Sequence, residues 1–450
     1  MPSSLDRRTF LAGSAAAALA PAQALAAPVS GYGLDVTHLG VRPGSPDEQT
    51  VRLQRAIDEA ARTRVPLWLP PGLYRTGNLR LSAGTQLIGV RGATTLKLTQ
   101  GPALLSSEHG DNITLSGLTL DGGNAPLPRG QGLVDLAGVR ALRIAECTVR
   151  RAGGNGLSLR ECDGDVTGTT ITDSAETALF AIDSRGMALT ANTIRGAGNT
   201  GIAVWQSTKR HDGSLIADNV IEDIRSRAGG TGQNGNAIAV FRAGDVIVRQ
   251  NHIRGTAFSA IRGNSAANIQ ILGNSCRDCD DVALYSEFDF EGCIMADNAV
   301  ENAGSGISVT NFDFKHGRLA SVRGNLLRNL KARAGSVGPQ DFGIGLHVEG
   351  DTSVVGNVIE QASLAGIRAG WGPYLRNVVI TGNVMRLCAT GVQVSVVKGT
   401  GPALIADNIF EQVPGGAVVG MEWHKTVSGD LTKQGASDYP QLTIADNRLG

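Results

Sequence analysis

Arg262, Tyr285 and His347, with Asp280, Asp281 and Glu287 beside Tyr285, are the residues of this 450-residue chain whose types and spacing point to chemistry. Arginine keeps its charge at any working pH. Tyrosine and histidine can take or give a proton, and neighbouring carboxyls do acid–base work or ligate a hard cation. β-Elimination on a uronate needs the carboxylate neutralised, a base for the C5 proton and an acid for the leaving oxygen. Arg262 fits the first role, His347 or Tyr285 the second, and Tyr285 the third. Asp281 and Glu287 keep hydrolysis open, for which an inverting mechanism needs carboxyls about 6.5–9.5 Å apart. A second set suits binding: Arg160, Trp205, Phe241, Asn264, Glu349, Arg368 and Trp371. Aromatics are only 4% of the chain, yet several fall in this set. Sugar rings stack on aromatic faces, and arginine reads a carboxylate with two parallel hydrogen bonds.

A repeat positions these residues. Asn followed two residues later by an apolar residue recurs at 192, 219, 251, 274, 298, 325, 357, 383, 408 and, more weakly, 447. The steps from Asn192 to Asn408 are 27, 32, 23, 24, 27, 32, 26 and 25 residues. Between most copies lies a short run such as Gly201-Ile-Ala-Val204 or Gly306-Ile-Ser-Val309. Alternating runs and Gly/Asn corners at a period in the twenties predict a β-solenoid, because helical pairs of that length would show a 3.6-residue apolar period. Alternation turns Ile202, Val204, Ile344 and Leu346 inward. It turns Arg160, Trp205, Phe241, Arg262, Asn264, Tyr285, His347, Arg368 and Gln393 outward, with Glu287, Glu349 and Trp371 just beyond. Asn at each corner is expected to adopt left-handed backbone angles and to stack its amide on the next.

A longer period overlies this one. At an offset of 106 residues Lys209 matches Lys315, Asn219 matches Asn325, Ile238 matches Ile344 and Asn251 matches Asn357. The insertions 226–236 and 332–342 should therefore leave the same corner four coils apart, on the order of 19 Å at the strand spacing. They should flank the face that carries the outward residues. A third start at Gly416, with Trp423-His424-Lys425, suggests a four-coil block that was duplicated and then truncated.

The remaining features bound the class. Sixty glycines and few large core residues suit thin coils. Lys plus Arg equals Asp plus Glu, 41 each, which gives no reason to expect nucleic acid or an anionic membrane as partner. Six cysteines make no small-domain framework; core thiols are expected, with a local Cys276–Cys279 bridge as the alternative. Ser45-Pro46-Asp47-Glu48 reads as a helix start, with the helix running to about Arg62 and burying Val51, Ala56, Ile57 and Ala60. This helix should cap the open end of the solenoid.

Two resemblances sharpen the reading. Asp6-Arg7-Arg8-Thr9-Phe10-Leu11, an Ala-rich stretch and Ala24-Leu25-Ala26 resemble the bacterial twin-arginine export signal. That implies the export machinery as a partner, a mature chain beginning near Ala27 and a periplasmic or secreted protein. No later stretch reaches the roughly 18 apolar residues of a membrane span. Val41-Arg-Pro-Gly-Ser-Pro-Asp-Glu-Gln-Thr-Val-Arg-Leu-Gln-Arg-Ala-Ile57, Leu69-Pro-Pro-Gly-Leu-Tyr74 and Ile113-Thr-Leu-Ser-Gly-Leu-Thr-Leu-Asp-Gly122 are similar to the entry segment and first coils of the pectate-lyase-like superfamily. With the export signal, the repeats also resemble a bacterial family of twin-arginine-translocated repeat proteins without assigned activity. The resemblance implies an all-β fold, a right-handed single-stranded parallel β-helix with an N-terminal capping helix. It divides the chain into signal 1–26, cap and first strands 27–99 and repeats 100–450, and implies that the strand carrying Gly-Ile-x-Val is the working face.

Known catalytic patterns of that superfamily match poorly: two of the four polygalacturonase elements and the Asp-Pro-His-Asp motif of alginate epimerases are absent. Asp280-Asp281 precedes Val-Ala-Leu as the Asp-Asp of polygalacturonases does, but Gly304-Ser305-Gly306 has serine where their next coil has histidine. No cofactor is implied outright; calcium requires loops that fold Asp280, Asp281 and Glu287 together. The sequence leaves open a lyase or epimerase on a polysaccharide or oligosaccharide, a glycoside hydrolase, a glycan- or envelope-binding scaffold and a structural spacer. Outward aromatics that only cover loops, and solvated Arg/acid ladders, are the competing account of the same residues.

Overall fold

The structure is a computed structural model that describes residues 29–30, 33–333 and 341–450. The export segment, and 334–340 of the second insertion, lie outside the described residues. Within them the chain winds as a parallel β-solenoid whose coils each contribute three short strands. One coil runs through Leu215–Ala217, Val220–Ile224 and Ile238–Gly244. The first type of strand stacks into a 17-stranded sheet. The other two types form separate faces that join as one 28-stranded sheet, since Ser275–Glu287 and Ala299–Thr310 run through the corner between them. The three are called here the first, second and third faces, in chain order. The third carries the outward residues named above.

Coils pair in strict register. Along the third face one outward row reads Trp205, Phe241, Asn264, Glu287, Thr310. A second reads Arg262, Tyr285, Ser308, His347, Arg368, Gln393. Between them the inward row, including Val204, Val240, Val348 and Val394, is buried.

The corner between the first two faces holds the asparagines. Each amide from Asn192 to Asn408 donates to the next one; Asn274 Nδ2, for example, donates to Asn298 Oδ1 at 3.0 Å. The same Oδ1 accepts the Asn274 backbone N–H at 2.9 Å, and Asn298 Nδ2 also donates to the Ile271 carbonyl at 3.0 Å. The ladder ends at Asn447 and extends backwards to Thr169, whose backbone N–H donates to Asn192 Oδ1. One expectation is corrected: the left-handed residue is the one before each asparagine, as at Asp218, Gln250, Asp297 and Gly324. The asparagine itself points into the coil, where its amide replaces a missing ladder partner.

The ends are closed by other means. The helix spans Thr50–Thr63 with Gln49 as its cap residue, four residues later than the Ser45 cap expected. Ser45 Oγ instead accepts from the Asp47 N–H in a turn, and the Gln49 side chain ties back to the Arg42 backbone. The apolar stripe is Leu53, Ala56, Ile57 and Ala60, spaced i, i+3, i+4, i+7, and Val51 lies off it, 61% exposed. At the other end Lys425–Asp430 folds back antiparallel on Val418–Glu422 and covers the last strand of the third face, with Trp423 at the turn. Six buried cysteines are free, so Cys276 and Cys279 are unbridged core thiols.

Asn298→Ala would strip both Asn274 donors of their acceptor inside the stack. We expect a loss on the order of 2–4 kcal/mol in urea unfolding. An unchanged midpoint would show that the ladder contributes nothing to stability.

Candidate functional site

The third face is a trough between two sets of loops. On the side where the chain enters it stands 226–236. On the side where the chain leaves it, exposed Phe288, Phe312, Phe314 and Trp423 form the opposite wall. Lys209 braces this wall by pairing with Asp289, three coils away.

At the early end of the trough, Trp205 stands edge-on between Phe180 at 5.3 Å and Phe241 at 5.6 Å between ring centres. Phe180 was missed in the sequence reading, although alternation in Thr177–Ile182 would have placed it outward. Next to these rings lies a cavity of about 430 Å³, lined among others by Trp205, Gln233, Phe241, Arg262, Asn264 and Phe288. The Trp205 Nε1 is buried with no hydrogen-bond partner.

Arg262, Asn264, Tyr285, Glu287 and Asp281 come together on two adjacent coils. Arg262 donates through Nε to Glu287 Oε1 at 2.7 Å, and Asn264 Nδ2 donates to the same oxygen at 2.9 Å. The Arg262 guanidinium also lies over the Tyr285 ring at 5.2 Å. Burial pushes the Glu287 carboxyl up, while Arg262 and Asn264 draw it down; Tyr285 rises to about 12, mainly from burial. Asp281 is raised by burial as well, against the Val282 N–H and Arg262. This geometry changes the role expected of Arg262. Its charge is already matched by Glu287, and Gly232 presses on it so closely that a Cβ there would overlap Arg262 Nη1. Only Nη1, buried and without a partner, is left over.

The acids do not gather round an ion. Asp280 is held by Arg333 at 2.8 Å, while Glu287 faces Arg262. Among the described residues no group of three His, Cys, Asp or Glu side chains could hold a metal. The set proposed for calcium is therefore split between two arginines.

His347 lies two coils beyond Tyr285 with Ser308 between them, so the register keeps them on the order of 9.6 Å apart. Burial, and then Arg368, lower the imidazole to about 3, so it is neutral near pH 7. Its Nε2 is shut off from solvent and unpartnered. Glu349, 1% exposed, accepts the backbone N–H groups of Asn311 and Phe312 on Oε2 at 2.7 and 2.8 Å. Burial raises it to about 7 despite those bonds, and Oε1 has no partner. Arg368 lies over Trp371 at 5.7 Å, and Trp371 meets Trp423 and His424. Arg160 stands apart, two coils before Trp205, exposed and 3.8 Å from Asp135.

No curated protein matches the sequence. Among solved structures, the catalytic unit of a GH87 α-1,3-glucanase from Streptomyces thermodiastaticus strain HF3-3 is similar at 16% identity and a TM-score of 0.55, over 91% of this chain and 72% of that one. Gene product 12 of bacteriophage phi29 is similar at 14% identity and a TM-score of 0.54, over 87% of this chain. The chain spans about half of that phage protein, 54% of its length. These likenesses concern the fold. The right-handed β-helix region family matches residues 131–316 and 209–373, together more than half of the sequence, and the chain belongs to that family.

Proposed function

We propose that the third-face trough binds a polysaccharide chain lengthwise. The observation that carries this reading is a set of orphan polar atoms. Of the eight buried side-chain N or O atoms without a partner among the described residues, four face this trough: Trp205 Nε1, Arg262 Nη1, His347 Nε2 and Glu349 Oε1. Each such atom costs about 1–3 kcal/mol unless something supplies the missing hydrogen bond. A hydroxyl-rich chain supplies donors and acceptors along its length, and Trp205, Phe241 and Trp371 offer ring faces beside them. The α-1,3-glucanase likeness supports the reading to the extent that the same fold there serves a polysaccharide-directed enzyme.

A catalytic reading is favoured by Glu349. A carboxyl that titrates near 7, with Oε1 free and neutral His347 two residues away, suits proton transfer to a bound sugar. This supports a lyase or epimerase. Hydrolysis by Asp281 and Glu287 is less favoured, because Glu287 is neutralised by Arg262. Export through the twin-arginine machinery, supported by Arg7-Arg8 and Ala24-Leu25-Ala26, would place the trough in the periplasm or medium. Among the described residues no helix is long and apolar enough to cross a membrane.

Binding is tested on a polysaccharide panel, read also for ultraviolet-absorbing unsaturated products and for new reducing ends. Trp205→Ala should weaken the bound member tenfold or more, about 1.4 kcal/mol. An unaltered affinity, or no bound member at all, would remove the saccharide reading; binding without either product would remove the catalytic one.

The Glu349 carboxyl also predicts a pH profile. With its folded value near 7 and its ordinary one at 4.5, the folded chain keeps a proton that the unfolded chain gives up. Stability is therefore intact below about 4.5 and declines as the pH rises to about 7, by on the order of 3 kcal/mol. Glu349→Gln should flatten this decline in urea unfolding between pH 4.5 and 8. Parallel profiles for the two proteins would show that the carboxyl titrates normally.

A further inference from the structure

The 106-residue duplication carries Arg262 onto Arg368. The two arginines lie in one outward row, four coils apart, on the order of 19 Å. Their settings are built alike. Each guanidinium lies over an aromatic ring, Tyr285 at 5.2 Å and Trp371 at 5.7 Å. Each donates to an oxygen on the next coil: Arg262 to Glu287 Oε1, and Arg368 through Nε and Nη2 to Gln393 Oε1 at 3.1 and 3.0 Å.

The difference is charge. Glu287 neutralises Arg262, whereas the amide of Gln393 accepts two hydrogen bonds and brings no charge. No ion pair of the described residues includes Arg368, which is only 5% exposed. The groups around it do not replace the missing anion. His347 is neutral, and Glu349 is turned to the 311–312 backbone. Asp341, the one carboxylate whose charge reaches it, sits 3.6 Å from His424. A guanidinium buried to this degree without a counter-ion is costly, and an anion presented by a ligand relieves that cost. Among the described residues Arg368 Nη1 has no acceptor, and Trp371 with Trp423 gives the carrier sugar an aromatic surface.

We propose that the Arg368 station is an anionic-sugar subsite, which takes the carboxylate or sulfate ester of one unit of the bound chain, while the Arg262 station passes neutral units. The inference rests on the saccharide reading of the trough and names its substrate class. A polymer carrying acidic groups is thus preferred to its uncharged counterpart, and that preference is set by the neutral acceptor Gln393 at Arg368, where Arg262 has the carboxylate of Glu287.

The test uses the mature protein and calorimetric titration with hexagalacturonate, its fully methyl-esterified form, a sulfated galactan hexamer and a neutral α-1,3-glucan hexamer. The carboxylate and sulfate arms distinguish the two anions. We expect an acidic member to bind at least tenfold tighter than the esterified or neutral members at low salt, and the margin to shrink in 0.5 M salt, where screening cuts the reach of a charge well below the roughly 10 Å it has at 0.1 M. Gln393→Glu, which gives Arg368 a carboxylate acceptor as Arg262 has in Glu287, should abolish the margin. It should also raise the thermal midpoint, while Glu287→Gln lowers it. Equal affinity for acidic and neutral members would overturn the anionic subsite and leave the saccharide trough standing. Binding by no member would overturn both. A Gln393→Glu protein with an unchanged midpoint and an unchanged margin would show that Arg368 is already compensated.

Discussion

The hydrogen bonding between coils is the constraint on which the rest of this structure depends. A coil of three short strands has no partner within itself, so its backbone groups are satisfied only by the coil above and the coil below. The asparagine ladder extends the same requirement to the corner, where no strand pairs. Asn298 illustrates it: its oxygen accepts two bonds from Asn274, and its nitrogen donates to Ile271 and to Asn325. Because every buried amide is used in both directions, a slip of one residue would orphan several groups at once. That penalty fixes the register, and the register fixes which side chains share a row.

Two outward faces show what the stack does with charged rows. On the second face one row reads Arg195, Glu222, Arg254, Arg277, Glu301, Arg328, Glu360, Arg386 and Glu411. Its pairs, such as Arg195–Glu222 and Arg386–Glu360, are solvent-exposed and add little each. The third face is different in kind. Arg262, Glu287, Glu349 and Arg368 are largely withdrawn from water, which makes their charges matter to one another. The solvated ladder, one of the rival accounts of the outward residues, thus describes the second face, while the third keeps its charges from water.

The sequence disclosed whatever depends on a repeat. The asparagine series, the inward valines and isoleucines, and the two-coil gap between Tyr285 and His347 all follow from period and alternation. It did not disclose what depends on where a chain end or a side-chain tip goes. Ser45-Pro46 resembles a helix start, but the Gln49 side chain ties to the Arg42 backbone and the helix begins after it. The left-handed residue moved to the position before each asparagine because the amide is needed inside. The pairing of Arg262 with Glu287, and of Asp280 with Arg333, joins residues 25 and 53 positions apart through the stack, and neither pairing leaves a local trace. The closing hairpin at Trp423 answers the open edge of the last coil, a need that the repeat itself cannot announce.

A solenoid is suited to carrying unsatisfied groups on one face. Its stability is close to a sum over coils and their interfaces, so a local deficit in one coil is offset by its neighbours rather than by the whole core. The orphan atoms of Trp205, Arg262, His347 and Glu349 are spread over coils that each keep complete backbone pairing and an asparagine in the ladder. In a compact domain the same four atoms would fall within a single cooperative core. The two arginine settings show this freedom: Arg262 and Arg368 hold the same row four coils apart, one with a carboxylate acceptor in Glu287 and the other with an amide in Gln393. The fold therefore separates the positions that stacking fixes, at the corner and the inward rows, from the outward rows of the third face, which stacking leaves free.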